Sequence, residues 1–202
     1  LKDLEEENMA AATSTMLALG TKAPKFDLPN THDSSLHGYG ARNVSIDELS
    51  GDNGMMVVFI GNHCPYVVLI KEALGKFSRD YCNSGIGLAA ISSNDVENYP
   101  ADSPANMSKF AAENDFAMPY LYDADQTMAL DYGAACTPDF YLFDKNLELV
   151  YRGQFDDARP GNQVDPDGSN LRNACDALMA GREIDKNQKT SLGCNIKWRP
   201  GN

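Results

Sequence analysis

Three observations predict an α/β fold. Met55–Ile60 is an unbroken apolar run ending at Gly61, the pattern of a strand buried on both faces. Directly after it, Cys64-Pro65 opens a segment with apolar residues at Val67, Ile70, Leu74 and Phe77, which is a helical repeat. A second apolar run, Ile86–Ile91, leads into further helical and strand-like segments, so strands and helices alternate along the chain.

The elements follow in order. Residues 1–19 are expected to be a disordered or expression-derived arm, because the first eight are acidic and carry no apolar signal region. Residues 20–185 form one domain, and 186–202 an irregular tail packed on it. Phe26–Leu28 reads as a short edge strand, since Pro24 just before it cannot donate to a ladder. Val44–Leu49 ends at Ser50-Gly51 and reads as a short turn or hairpin. Pro65 suits a first helical turn, where its missing N–H has no intrahelical acceptor to lose. Ser103-Pro104 starts a helix reaching about Asn114, with Ser103 as its cap. Tyr120–Tyr122 is a short strand, and Gln126–Tyr132 a short helix stopped at Gly133. Phe140–Phe143 and Leu147–Phe155 form an antiparallel hairpin around Asp144-Lys145-Asn146. Residues 156–169 are a Gly-, Pro- and Asp-rich loop, long enough to bind or cover something. Leu171–Met179 is a helix with Leu171, Ala174, Cys175 and Leu178 on one face.

Composition narrows the function. With 43% apolar and 23% charged residues, 202 residues suffice for one well-cored domain. The net charge of -12 speaks against partners such as nucleic acid or an anionic membrane surface. No run approaches the ~18 apolar residues of a membrane span. The five cysteines are odd in number and widely spaced, which is no secreted disulfide framework; reduced thiols in the cytoplasm are the expectation. His63, Cys64 and Cys136 lack zinc-site spacing, so no metal and no cofactor is expected.

Two stretches carry chemistry. Cys64 lies between a buried strand and a helix start, where unpaired N–H groups and the helix dipole favour a thiolate. His63 beside it adds positive charge when protonated. Cys136-Thr137-Pro138 precedes the hairpin and contains an X-Pro bond that can be cis. Cys82 and Cys175 sit at apolar spacing on helices and are expected to be core. Arg152 and Arg159 flank or enter the 156–169 loop, where they either meet an anionic substrate or pair with surface acids.

The set Gly61–Tyr66, Ser92–Pro100, Cys136–Asp144, Tyr151–Asn162 and Gly193–Trp198 resembles the thioredoxin superfamily, and within it the peroxiredoxin-like (redoxin) branch related to alkyl hydroperoxide reductase. The resemblance implies a thioredoxin-like fold, a central mixed sheet flanked by helices. It implies that Pro138 is a cis-proline facing the helix start, with Thr137 backbone groups holding an extended thiol substrate. It implies an antioxidant thiol oxidoreductase in which Cys64 attacks a peroxide or disulfide, with thioredoxin or glutathione as reductant and a homodimer as one oligomeric form. Catalytic Cys64, Cys136 and Cys194 and substrate-binding His63, Thr137, Pro138 and Arg152 are the expected site, with Cys136 better placed than Cys194 to resolve Cys64. The chain departs from the pattern in two ways. Gly61 replaces the first Cys of C-x-x-C, which removes dithiol cycling within the motif. Gly61 and Pro138 also stand where peroxidases place a Thr and an Arg that polarise peroxide. The alternative is a binding module with weakened catalysis.

Overall fold

The computed structural model describes residues 11–33 and 38–202. Of the expected N-terminal arm, residues 1–10 therefore lie outside the described residues.

In chain order the strands and helices are β1 (Ala11–Thr13), β2 (Asp27–Pro29), β3 (Asn43–Ser45), α1 (Ile46–Leu49), β4 (Gly54–Phe59) and α2 (Pro65–Tyr81). Then come β5 (Ile86–Ser92), a 3-10 turn at Pro100–Asp102, α3 (Pro104–Glu113), β6 (Tyr120–Tyr122) and α4 (Thr127–Asp131). The chain closes with β7 (Cys136–Thr137), β8 (Asp139–Asp144), β9 (Leu149–Gly153), α5 (Ser169–Met179) and β10 (Leu192–Asn195).

The main sheet is mixed. β8 runs antiparallel to both β4 and β9, and β5 runs parallel to β6. The Ile60 N–H donates to the Ile91 carbonyl at 2.9 Å and ties the end of β4 to β5. Side-chain alternation along β4 divides the core into two layers. Met56, Val58 and Ile60 join α2, α3 and α5 through Val67, Leu74, Met107, Ala111 and Leu171. Met55, Val57 and Phe59 join α1 and α4 through Ile46, Leu49, Met128 and Ala129. Each large side chain buried this fully contributes about 1.5–3 kcal/mol relative to exposure. The apolar run seen in the sequence is thus a strand covered on both faces.

A smaller antiparallel sheet, ordered β1-β10-β7, holds the end of the chain against the domain. Two expectations change here. Residues 11–19, assigned to the disordered arm, carry β1, which pairs with β10. The tail from residue 186, read as irregular, contains β10, whose ladder partners are remote in sequence. A third change is local. Val44–Leu49 is a strand end followed by a helical turn, because Ser45 and Glu48 form a capping box. The Glu48 N–H donates to Ser45 Oγ at 3.3 Å and the Ser45 N–H to Glu48 Oε2 at 3.1 Å. Ser103 occupies the N-cap position of α3 without a side-chain cap bond. Cys175 is core as expected, whereas Cys82 is half-buried at the C-cap of α2, its thiol donating to the Arg79 carbonyl at 3.2 Å.

Candidate active site

Cys64 is the N-cap of α2 and Pro65 its first helical residue. The Val68 N–H closes the first turn on the Cys64 carbonyl at 2.8 Å. Facing this helix start is the Thr137-Pro138 bond, which is cis. The Cys64 Sγ lies 3.0 Å from the Thr137 carbonyl oxygen and 2.9 Å from the Cys194 Sγ. All five cysteines are free thiols. Cys64 and Cys194 are 1% and 3% exposed, so the two sulfurs meet behind the surface.

Their electrostatics are unequal. Burial pushes the Cys64 thiol up, but the Cys194 thiol, the Thr137 side chain and the N–H groups of Val67 and Cys194 favour the anion and win, taking it down to about 6. The Thr137 carbonyl, an acceptor, opposes them. Cys194 goes the other way: its hydrogen bond to Cys64, then burial, hold its proton on. One proton shared by two sulfurs is the physical content of this pair. Lys197 stands close enough that both sulfurs act on its charge; burial lowers its ammonium pKa, and Cys194, Cys64 and Asp102 oppose that.

The register of β7 and β10 decides which second thiol reaches Cys64. Cross-strand partners share a face, and neighbours along a strand alternate. Cys194 pairs with Thr137 and Asn195 with Cys136. Cys194 therefore shares the face of Thr137, toward Cys64, while Cys136 takes the other face. The Cys136 thiol points to the Pro138 carbonyl at 3.8 Å, and burial raises its pKa strongly. The expectation that Cys136 is better placed to resolve Cys64 is corrected: Cys194 is the thiol in contact.

Gly193 is what lets β10 approach. A Cβ there would lie 2.0 Å from the Thr137 carbonyl oxygen and 2.5 Å from its carbon. The edge that was expected to hold an extended substrate is thus already paired, with β10 supplying the strand and Cys194 the thiol.

His63 is tied down on the other flank. Its Nδ1 is 2.7 Å from Asp102 Oδ2, and its ring stacks on Tyr99 at 5.5 Å and 12°. Asp102 is fully buried and also accepts from the Asn62 N–H at 2.6 Å and the Asn94 amide at 2.7 Å. Asn94 in turn accepts the Lys197 N–H at 2.9 Å, and the Lys197 carbonyl accepts from the Asp95 N–H at 2.9 Å. This network fastens the tail beside the helix start. Asp102, Asn94, Lys197 and Gly193 have no role assigned from sequence, although Asn94, Gly193 and Lys197 fall in the stretches that carry the resemblance.

Arg152 is a correction. It pairs with Tyr141 across β8 and β9, and Tyr141 belongs to the layer opposite Cys64. Its Nε donates to the Leu17 carbonyl at 2.8 Å and its Nη1 to Gln188 Oε1 at 2.7 Å, so it ties chain segments together rather than facing substrate. Behind Pro138, Asp139 is buried and accepts from the Tyr141 hydroxyl at 2.8 Å; burial pushes its carboxyl up to about 7.

Gly61 is more than a lost cysteine. A Cβ there would meet the Asn94 amide nitrogen at 2.5 Å. That amide is held by Asp102 and cannot swing away without losing a buried hydrogen bond. Gly61→Cys is accordingly expected to lose about 1–3 kcal/mol of stability and to form no 61–64 disulfide, checked by urea unfolding and by mass mapping after oxidation.

No group of three or more His, Cys, Asp or Glu side chains suited to a metal occurs among the described residues, and no described helix is long and apolar enough to cross a membrane. Among curated proteins none matches the chain. Solved structures do. An uncharacterized conserved protein from Geobacillus kaustophilus is 45% identical, with a TM-score of 0.90 over 96% of this chain and 99% of that one. A hypothetical protein from Sinorhizobium meliloti 1021 is 43% identical, with a TM-score of 0.87 over 94% and 99%. Peroxidoxin BcpB from Mycobacterium tuberculosis, 16% identical with a TM-score of 0.56 over 81% and 97%, shares the fold. The fold is thioredoxin-like, a mixed sheet flanked by helices. The AhpC/TSA family profile matches residues 19–152, about two thirds of the sequence, which includes Cys64 and Cys136 but stops short of Cys194. The chain therefore belongs to the AhpC/TSA family.

Proposed function

We propose that the protein is a thiol-dependent oxidoreductase in which Cys64 is the nucleophile and Cys194 the resolving thiol. The observation that carries this reading is the 2.9 Å contact between two free sulfurs at a helix N-terminus. Closing it to a disulfide, at about 2.05 Å, shortens the separation by less than about 1 Å.

The chemistry balances without a cofactor. The Cys64 thiolate attacks one sulfur of RS–SR and forms a Cys64–SR mixed disulfide, expelling RS⁻. Cys194, giving up its proton, attacks Cys64 and expels the second RS⁻. The protein becomes a disulfide and the substrate two thiols; an external thiol reductant reverses the protein's change. A peroxide enters by the parallel route, with a Cys64 sulfenic acid that Cys194 condenses with, releasing water. The disulfide route is favoured, because Gly61 and Pro138 supply no side-chain donor to polarise a peroxide. With β10 on the Thr137 edge, small substrates reach the pair more readily than a folded protein.

Oxidation of the reduced protein with one equivalent of hydrogen peroxide or of a small disulfide, followed by peptide mass mapping, tests this. The expected product is a single Cys64–Cys194 crosslink, about 2 Da lighter than the dithiol, reversed by excess thiol. Recovery of neither crosslink nor sulfenic acid on Cys64 would favour the binding-module reading instead.

A further inference from the structure

A narrow cleft opens beside the thiol pair and is lined by Tyr66, Pro138, Leu192 and Arg159 among others. Tyr66 is two residues from Cys64, Leu192 two from Cys194, and Pro138 follows Thr137. The cleft therefore ends against all three segments that hold the two sulfurs. Its free space is about 20 Å³, enough for about one water-sized group, such as one oxygen of a carboxylate whose remainder stays at the mouth, and too small for a ring.

Arg159 brings to this cleft, which Asp156 also lines, a charge that makes no ion pair, although Asp157 feels it at longer range. Its Nη1 donates to the Asp156 carbonyl at 2.8 Å and the Ala158 carbonyl at 2.6 Å, and its Nη2 to Gln154 Oε1. All three acceptors are neutral. Among the described residues no carboxylate lies within ion-pair distance of it. The nearby acids are already engaged: Asp156 accepts from the N–H groups of Ala158, Asp167 and Gly168, and Asp157 from Lys189 and Gln154. The loop thus fixes the guanidinium through neutral acceptors and gives it no direct ion pair.

We infer that Arg159 selects small disulfides and thiols carrying a carboxylate, seating the acid in this cleft while the sulfur meets Cys64. The inference rests on the thiol chemistry proposed above and adds the substrate class. The electron balance is that of the disulfide route: one carboxylate disulfide yields two carboxylate thiols as Cys64 and Cys194 join.

Three aliphatic disulfides of similar length separate the terms: dithiodipropionate (anionic), bis(2-hydroxyethyl) disulfide (neutral) and cystamine (cationic). Each is mixed with the reduced full chain, and its rate is divided by its own rate with dithiothreitol to remove intrinsic reactivity. The anion-to-neutral ratio is expected to exceed one by about tenfold, against the repulsion of the whole protein. In Arg159→Gln that ratio should fall to about one or below, and Arg159→Lys, which keeps the charge without the fork, should recover part of it. Because the readout is a ratio within one protein, partial unfolding of a variant lowers both rates and leaves it unmoved. A wild-type ratio near one, or a high ratio that survives Arg159→Gln, would overturn the selection by Arg159 while leaving the thiol chemistry standing. No reaction of the wild type with any of the three would overturn both.

Discussion

Alkylation of the reduced protein at Cys64 should follow a titration with its midpoint near pH 6, and Cys194→Ala should move that midpoint up toward the ordinary thiol value of about 8.5. The sign follows from the contacts. Burial alone would raise the Cys64 pKa; the hydrogen bond from the Cys194 thiol is the first of the groups that bring it down. Removing that donor leaves burial less opposed. Because the thiolate is the reacting form, the rate at pH 6 should then fall by up to about two orders of magnitude, while the rate above pH 9 changes little. Cys64→Ser should remove the low midpoint altogether. The same Cys194→Ala variant should accumulate a Cys64 mixed disulfide with a small disulfide substrate, since nothing nearby releases it. Iodoacetamide kinetics across pH, with mass detection on the Cys64 peptide, gives both results. A wild-type midpoint at 8.5 or higher would remove the physical basis for the nucleophile.

Gly193→Ala should be among the most damaging single-methyl additions in the chain. The new Cβ would sit 2.0 Å from the Thr137 carbonyl oxygen, a backbone atom next to the cis-proline with no room to retreat. Overpacking against main chain costs about 3 kcal/mol, seen as a lower urea midpoint. The functional signature is sharper than the stability one. As β10 is pushed off β7, the Cys194 sulfur leaves Cys64, so the yield of the 64–194 crosslink should drop even at temperatures where the variant remains folded. A wild-type crosslink yield in a folded Gly193→Ala protein would show that Cys194 reaches Cys64 by some means other than this strand.

Much of this was legible in the chain, and the reasons are local ones. β4 and β5 announce themselves because burial on both faces demands continuous apolar runs. Cys64-Pro65 marks a helix start because proline's missing N–H is harmless there. The helix at Ile46–Leu49, in place of a turn, has its local signal in the S-x-x-E spacing of Ser45 and Glu48, which forms a capping box. What sequence could not carry was register. Whether Cys194 faces Cys64 depends on which residue of β10 sits opposite Thr137, and a one-residue slip would turn it to the face that Cys136 takes. Arg152 failed for a related reason: its strand alternation points it to the far layer, and nothing in Tyr151-Arg152-Gly153 states which layer that is. The Asp102–Asn94–Lys197 network joins three segments distant in sequence, so no window along the chain contains it.

The second sulfur comes from the far end of the chain, 130 residues from the first, rather than from the next turn of the same helix. A bond between them would girdle most of the domain in one covalent ring. By the chain-entropy relation, a ring of that size takes about 5 kcal/mol of freedom from the unfolded state. Oxidation and folding then reinforce each other: whatever reduces the protein also loosens it, and whatever loosens the tail makes the bond easier to reduce.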